Sequence, residues 1–334
     1  MQIDSVFIRV STAKQYGNGH FTRAIALLIH LKKNFHIQLI TDNEISEAQK
    51  IIITGNNTTF ITPQEFVKQK RGIAYGLIID HYALDLEERR LLTSGSICTL
   101  QFDDHCILHG DVDISVLPTN PGSEGKNACT ELVGLGYAVV DDRFIPTQVK
   151  SISDDIKCLI NFGSFDGKNM TIKVLKDLAG SGFINKSLKV VCLVPEEKNG
   201  QIDAFKEKIQ HREQIVYVNN IEKMWTFLPT FDISICSGGR SLLENLRVGL
   251  PSIVFETDSS QANIIRSLIL KRAILFAGSH QYTSSSKLTL YLSKLLTDVN
   301  YRKSLATLSS ETIDGKGAER LVNVFTQRFF SAKV

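Results

Sequence analysis

The stretch that most constrains the fold of this chain is residues 232–261, DISICSGGRSLLENLRVGLPSIVFETDSSQ. It has the pattern of a short apolar strand, a turn with two glycines, a helix from about Arg240, a second turn and a second strand. Gly238 and Gly239 have no Cβ, so a ligand can approach the backbone of this turn closely. The amide groups at the start of the helix favour an anion. The stretch therefore predicts a nucleotide-diphosphate site at the carboxyl edge of a parallel sheet, with Glu244 on the side where a ribose would lie.

Strand and helix patterns alternate along most of the chain, which predicts an α/β fold with parallel sheets covered by helices. A length of 334 residues suggests two domains. The best linker candidate is the polar segment 141–155, which contains Pro146. We therefore expect two Rossmann-like, doubly wound domains, residues 1–150 and 151–311, that face a central cleft. The strands predicted in the first domain include residues 6–10, 37–41, 51–54, 60–62, 75–80, 97–102 and 114–117.

The composition limits the classes of partner. The net charge is only +3, so neither nucleic acid nor an anionic membrane is predicted as a partner. No apolar run approaches the roughly 18 residues that span a bilayer. The N-terminus, MQIDSVFIRV, has the pattern of a strand and not of a signal peptide. We therefore expect a cytoplasmic protein without a transmembrane segment.

The first candidate cluster is the sequence G-N-G-H in a predicted strand-to-helix turn. Gly17 and Gly19 allow close approach to the backbone, and His20 begins the predicted helix with Arg23 one turn further on. An imidazole accepts a proton near neutral pH, which makes His20 a candidate general base. The alternative is a histidine that only caps the helix.

The second cluster, Asp80-His81-Tyr82, comes at the end of a predicted buried strand. Polar residues at the carboxyl edge of a parallel sheet are placed to reach a ligand. The alternative is a turn capped by the aspartate. The next strand also ends in polar residues, but their spacing fits no zinc pattern, so no metal and no cofactor are predicted. These residues are Asp103, Asp104, His105 and His109.

The third cluster contains Gly163 and Asp166, in a turn of small residues between a predicted strand and a predicted helix. The backbone amides of such a turn are placed to hold phosphate oxygens. The alternative is a simple capped turn. All three clusters share the carboxyl end of a strand, where open α/β sheets bind ligands.

At these residues the chain resembles a known family, the UDP-2,4-diacetamido-2,4,6-trideoxy-β-L-altropyranose hydrolases of the pseudaminic acid pathway. That family belongs with the two-domain glycosyltransferases of the GT-B fold. The resemblance extends over most of the chain and rests on several motifs in the same order. They are G-x-G-H-x-x-R (Gly17, Gly19, His20, Arg23), D-H-Y (Asp80, His81, Tyr82), f-G-x-x-D (Phe162, Gly163, Asp166) and D-x-x-I-x-x-G-G-x-x-x-x-E-x-x-x-x-G-x-P (Asp232, Ile235, Gly238, Gly239, Glu244, Gly249, Pro251).

The resemblance implies hydrolysis of a UDP-activated diacetamido-trideoxyhexose at its anomeric C–O bond, with release of UDP, in surface-glycan biosynthesis. UDP would bind the second domain, His20 would activate water, and Tyr82 would orient the sugar or the water. A C-terminal helix within residues 312–334 would pack back on the first domain. The catalytic residues would be His20, Tyr82 and Asp80, and the residues that bind substrate or nucleotide would be Gly17, Gly19, Arg23, His81, Gly163, Asp166, Gly238, Gly239, Arg240, Glu244, Ser260 and Gln261.

The chain departs from the family at one position of the nucleotide loop, where Ser260 precedes Gln261 in place of the usual asparagine. That asparagine is a contact for the sugar or for water, so the departure bears on both substrate and reaction. The main alternative is a GT-B glycosyltransferase, in which His20 deprotonates a hydroxyl of a glycan or lipid acceptor. A third interpretation is a protein that binds a nucleotide sugar without catalysis.

Overall fold

The structure is a computed structural model that describes residues 4–12, 18–42, 45–81, 83–107, 109–118, 129–147, 156–185, 188–281 and 285–333. The chain divides into two compact units. Unit 1 is Met1–Asp142 together with Gly315–Val334, and unit 2 is Arg143–Asp314.

The division between the units falls earlier in the chain than the predicted boundary at residue 150. The carbonyl oxygen of Phe144 accepts a hydrogen bond from Arg247 Nε at 3.0 Å. Thr147 N donates to the carbonyl oxygen of Val248 at 3.0 Å. These bonds attach residues 144–147 of the predicted linker to unit 2, and residues 148–155 lie outside the described residues.

Unit 1 is built on a parallel sheet. Its strands are β1 (Asp4–Val10), β2 (Phe35–Ile40), β3 (Thr59–Ile61), β4 (Tyr75–Asp80), β5 (Ser96–Phe102), β6 (Ile114–Leu117) and β7 (Thr130–Val133). Its first helices are α1 (Gly19–Leu31), α2 (Glu47–Gly55), α3 (Pro63–Gln69) and α4 (Leu86–Thr93). Within the described residues the strand order is β3-β2-β1-β4-β5-β6-β7. Because β1 pairs with β2 on one side and with β4 on the other, the strand order reverses there, as in doubly wound folds.

Unit 2 repeats this arrangement. Its strands are β8 (Ile156–Asn161), β9 (Leu188–Leu193), β10 (Ile215–Val218), β11 (Ile233–Ser237), β12 (Ser252–Glu256) and β13 (Leu275–Ser279). Its helices are α5 (Met170–Gly180), α6 (Asn199–Lys206), α7 (Met224–Phe227), α8 (Arg240–Val248), α9 (Ala262–Leu270), α10 (Ser285–Thr297) and α11 (Val299–Thr312). Among the described strands the order is β10-β9-β8-β11-β12-β13, and every pairing is parallel. The two sheets confirm the prediction of two doubly wound α/β domains.

The C-terminal helix, α12 (Gly317–Lys333), belongs to unit 1 and packs on its sheet. Phe325 and Phe329 of this helix are fully buried. A Cβ added to Gly76 of β4 would lie 2.6 Å from the ring of Phe325, so only glycine lets the helix come this close to the strand. Neither α12 nor any other helix in the described part of the chain is long and apolar enough to cross a membrane.

The predicted strand at residues 51–54 is wrong, because these residues lie in helix α2. Ser46 Oγ accepts a hydrogen bond from Gln49 N at 3.2 Å, and Gln49 Oε1 accepts one from Ser46 N at 2.9 Å. This reciprocal capping box begins the helix. Ile53 is buried whereas Ile51 is 71% exposed, so the run packs on one helical face only. The cap therefore outweighs the β-preference of three consecutive isoleucines.

We expect Ser46→Ala to lower the free energy of unfolding by about 1 kcal/mol, because the first amides of α2 lose their side-chain acceptor. Urea denaturation at neutral pH measures this change. Thr54→Ala, on the exposed part of the same helix, is the matched control because it leaves the cap intact and should cost no stability. Equal midpoints for wild type and Ser46→Ala would contradict the importance of the cap.

Candidate active site

His20 and Asp80 form a buried pair in unit 1. His20 is the second residue of α1 and Asp80 is the last residue of β4, with 4% and 1% of their surfaces exposed. His20 Nδ1 lies 2.6 Å from Asp80 Oδ1. A carboxylate only accepts hydrogen bonds, so Nδ1 carries the proton, and Nε2 is the nitrogen of the neutral ring that takes up a further proton. This is the arrangement of a general base that a carboxylate holds in one tautomer.

Arg23, one turn after His20, binds two carboxylates at once. Its Nε and Nη2 donate to the two oxygens of Asp80 at 2.7 and 2.5 Å, and its Nη1 and Nη2 donate to Asp104 at 3.1 and 2.9 Å. Burial would raise the pKa of Asp80, but the charges and hydrogen bonds of Arg23 and His20 outweigh it and hold that pKa well below its ordinary value. Asp80 is therefore ionised at neutral pH.

His81 is held through both of its ring nitrogens. Ala83 N donates to His81 Nδ1 at 3.0 Å, so the proton of the neutral ring lies on Nε2, which is 3.3 Å from Asp42 Oδ1. Asp42 also accepts from Thr12 N at 2.7 Å and from Arg9 Nη2 at 2.8 Å. These contacts anchor His81 in the turn after β4, and its predicted role in ligand binding stays a prediction.

The start of α1 completes the described part of this site. Gly19 is the first residue of the helix, and Asn18 before it makes no side-chain capping bond. The first turn has no acidic residue, so no carboxylate there competes with an anionic ligand for the helix end. Gly17 and Tyr82 lie outside the described residues, and their predicted roles stay predictions.

Unit 1 is expected to lose stability in acid because of Asp42 and Asp80. Burial would raise the pKa of Asp42, but the hydrogen bond with His81 and the charge of Arg9 outweigh it and hold that pKa well below its ordinary value, as for Asp80. A carboxyl group whose pKa is lower in the folded protein stabilises it above the unfolded pKa of about 4, and this stabilisation is lost as the pH falls further.

Urea denaturation at pH 7, 5, 4 and 3 tests this expectation. The free energy of unfolding should fall mainly below about pH 4. Asp42→Asn should be less stable than wild type at pH 7 and should lose less of its stability between pH 4 and pH 3. An equal loss in the variant would contradict the contribution of Asp42.

The glycine turn of unit 2 connects β11 to α8. A Cβ added to Gly238 would lie 2.5 Å from Ile265 Cδ1, so the packing of α9 against this turn requires glycine. Gly238 N donates to Gln261 Oε1 at 3.2 Å, and the same oxygen accepts from Thr257 N at 3.0 Å. Gln261 thus connects the turn after β12 to the turn after β11. Gly239 directly precedes α8, whose first turn has no acidic residue, so the beginning of α8 is the candidate anion site.

Glu244 lies one turn into α8 and is partly exposed. The next residue, Asn245, is buried, and its Nδ2 donates to Ser234 Oγ of β11 at 2.9 Å. This bond fixes the rotation of the helix on the sheet. Glu244 is therefore held on the partly exposed face of α8.

Ser260 is hydrogen-bonded within its own loop. Its backbone N and its Oγ both donate to Asp258 Oδ1, at 2.9 and 2.6 Å. Asp258 thereby caps the short 3-10 turn Ser259–Gln261. Ser260 thus uses its hydroxyl group to stabilise the loop.

The turn after β8 has the geometry of a capped helix start. Gly163 has a φ of +87°, which only glycine adopts readily, and its N donates to Asn161 Oδ1 at 2.9 Å. Asp166 is buried, and its two oxygens accept from Met170 N at 2.8 Å and Thr171 N at 3.2 Å. The carboxylate of Asp166 thus lies where a phosphate would have to bind, which favours the capped-turn alternative for this residue.

The structure brings three predicted residues of unit 1, His20, Asp80 and Arg23, into one hydrogen-bonded cluster. The motifs in the sequence do not single out Asp42 and do not connect Asp104 with Arg23. Both follow parallel strands, β2 and β5, at the same edge of the sheet as Asp80. A polar residue just after a predicted parallel strand is therefore the sequence signal that identifies Asp42 and Asp104.

Sequence comparison gives limited similarity to curated proteins, and no family model matches the chain. The spore coat polysaccharide biosynthesis protein SpsG of Bacillus subtilis (strain 168) is 23% identical over 166 residues. The aligned region covers 50% of this chain and 48% of SpsG. The chain thus matches about half the length of this relative.

Solved structures match almost the whole chain at low sequence identity. MurG of Acinetobacter baumannii has a TM-score of 0.69 and 11% identity, with 98% of this chain and 100% of MurG covered. The spinosyn rhamnosyltransferase SpnG complexed with thymidine diphosphate has a TM-score of 0.61 and 12% identity, with 96% of this chain and 99% of SpnG covered. The glycotransferase of kitacinnamycin has a TM-score of 0.65 and 11% identity, with 98% of this chain and 99% of the glycotransferase covered. Together with the two parallel sheets, these matches establish a fold of the GT-B type.

Proposed function

We propose that this chain transfers a sugar from a UDP-sugar donor to a hydroxyl group of a glycan acceptor. The observation that carries the proposal is the 2.6 Å contact between His20 Nδ1 and Asp80 Oδ1, because it orients one histidine as a general base. The GT-B fold and the similarity to a protein of spore coat polysaccharide biosynthesis support a role in glycan synthesis.

In the proposed reaction, His20 Nε2 takes the proton of the acceptor hydroxyl while the oxygen attacks the anomeric carbon. The bond between that carbon and the diphosphate oxygen breaks, and UDP leaves with the electron pair. Asp80 stays ionised and stabilises the imidazolium. The beginning of α8 binds the diphosphate and stabilises its developing charge, and Glu244 accepts hydrogen bonds from the ribose hydroxyls.

Hydrolysis of a UDP-activated 2,4-diacetamido-2,4,6-trideoxyhexose is the second candidate, and the motifs around His20 and Asp80 favour it. Water then replaces the acceptor hydroxyl, and the same base takes its proton. We place transfer first because the family's asparagine is absent and Ser260 is hydrogen-bonded to Asp258 in its place.

A panel of UDP-sugars, each incubated with and without glycan acceptors, separates the two reactions. Release of UDP that depends on an acceptor supports transfer, and release without an acceptor supports hydrolysis. Binding of UDP with no turnover of any donor would overturn both candidates in favour of a binding protein.

We expect Glu244→Ala to weaken UDP binding by about 10–100-fold, because hydrogen bonds to a charged acceptor are worth about 1.5–3 kcal/mol. Isothermal titration calorimetry with UDP measures the change. Glu207→Ala, on the exposed surface of the same unit, is the control and should bind UDP as the wild type does. Unchanged affinity in Glu244→Ala would remove this residue from the nucleotide site.

A further inference from the structure

Arg23 occupies a position between two acidic side chains that the proposed chemistry leaves unexplained. Its guanidinium is mostly buried, with Asp80 and Asp104 as hydrogen-bond partners and the ring of Phe102 at 4.2 Å. Burial would lower the pKa of Arg23, but the charges of Asp104 and Asp80 outweigh it and raise that pKa well above its ordinary value. Arg23 is therefore a fixed positive charge that does not exchange protons during a reaction.

The net charge of this cluster is zero only when His20 is protonated. With neutral His20, two carboxylates and one guanidinium give a net charge of −1. When His20 takes a proton, the net charge becomes zero. Uncompensated charge is costly in a buried site, and the cluster carries no net charge once His20 has taken the proton. Without Asp104, the same proton would change the charge from zero to +1.

Other charged or titratable groups lie at this edge of the sheet, on the elements packed around the cluster. None of them is altered by a substitution at residue 104, so their effect on His20 is nearly the same in wild type and variant. They are Asp103 and His105 after β5, His81 after β4, Asp42 after β2, and Arg9 of β1 with its partner Glu88.

We propose that Asp104 is a positioning residue that balances the positive charge of Arg23. The negative charge of Asp80 is then left to stabilise the protonated ring of His20. This inference rests on the proposed role of His20 as general base. Asp104 acts through Arg23 and does not itself exchange a proton with the substrate. Its side chain is 23% exposed, so a substitution there is easier to accommodate than one at Asp80.

The test is Asp104→Asn, with two readouts. The titration of His20, followed by NMR of the labelled imidazole in ligand-free protein and assigned with His20→Gln, should move to lower pH, because the variant lacks a negative charge near the imidazolium. The acid limb of the pH profile of kcat/KM should move in the same direction. Asp104→Ser removes the same charge with a smaller side chain and should give the same shift, and Asp104→Glu should restore the wild-type curve.

Asp111→Asn is the matched control. Asp111 also pairs with a buried arginine of unit 1, Arg89 at 2.6 Å, outside the His20 cluster, and its loss should leave the His20 titration unchanged. Superimposable His20 titrations for wild type, Asp104→Asn and Asp104→Ser would overturn the inference, even if the enzyme transfers sugar. A shifted titration in a protein that turns over no donor would support it while refuting the proposed function.

Discussion

Replacing His20 with alanine is expected to lower kcat by about 10²–10⁴-fold, the usual contribution of a general base. The reason is geometric: Asp80 fixes the proton of the ring on Nδ1, so Nε2 alone is left to deprotonate the acceptor or water. KM for the donor should change little, because the proposed nucleotide contacts are in unit 2. Steady-state kinetics with the UDP-sugar and acceptor identified in the panel measures both quantities.

His20 is buried, so alanine also leaves a cavity that can lower stability. His20→Gln fills more of that space and offers an amide to Asp80, but it cannot act as a base. Both variants should keep wild-type affinity for UDP by calorimetry, and their thermal unfolding should begin above the assay temperature. A near-normal rate in both folded variants would remove His20 from the mechanism.

The sequence is sufficient to place the polar residues at the edges of the sheets. Asp80 follows an uninterrupted apolar run, YGLII, and His20 follows Gly17 and Gly19 in the loop after the strand-like run VFIRV. In a parallel sheet with short crossover helices, the carboxyl ends of neighbouring strands meet at one edge. This rule explains why residues 60 positions apart in the chain form a hydrogen bond.

The partners within each cluster could not be predicted, because they depend on side-chain geometry between distant segments. Arg23 and Asp104 are separated by 81 positions, and no periodicity relates them. The capping role of Asp166 depends on a positive φ at Gly163 and at Asn169. Glycine and asparagine allow this conformation, but their presence in the sequence does not predict it. At α2, local β-preference indicates the wrong element, because the capping box of Ser46 and Gln49 begins a helix there.

Asp80→Asn is expected to lower kcat by about 10²–10⁴-fold, although Asp80 is not expected to exchange a proton with the substrate. Asparagine has nearly the same shape but no charge. It can donate to His20 Nδ1 through its amide, which would place the ring proton on Nε2 and block that nitrogen as a base. Arg23 also loses its most buried carboxylate but keeps Asp104, so the variant should lose about 1.5–3 kcal/mol of stability, the scale of a hydrogen bond to a charged group.

The double variant His20→Gln/Asp80→Asn separates these two effects. If Asp80 contributes to catalysis only through His20, the double variant should be no slower than His20→Gln alone, because residues that act as a unit are not additive. Its stability should still be close to that of Asp80→Asn, since the loss comes mainly from Arg23. Rate losses that multiply in the double variant would mean that Asp80 acts independently of His20, and the general base would then have to be sought elsewhere at this edge of the sheet.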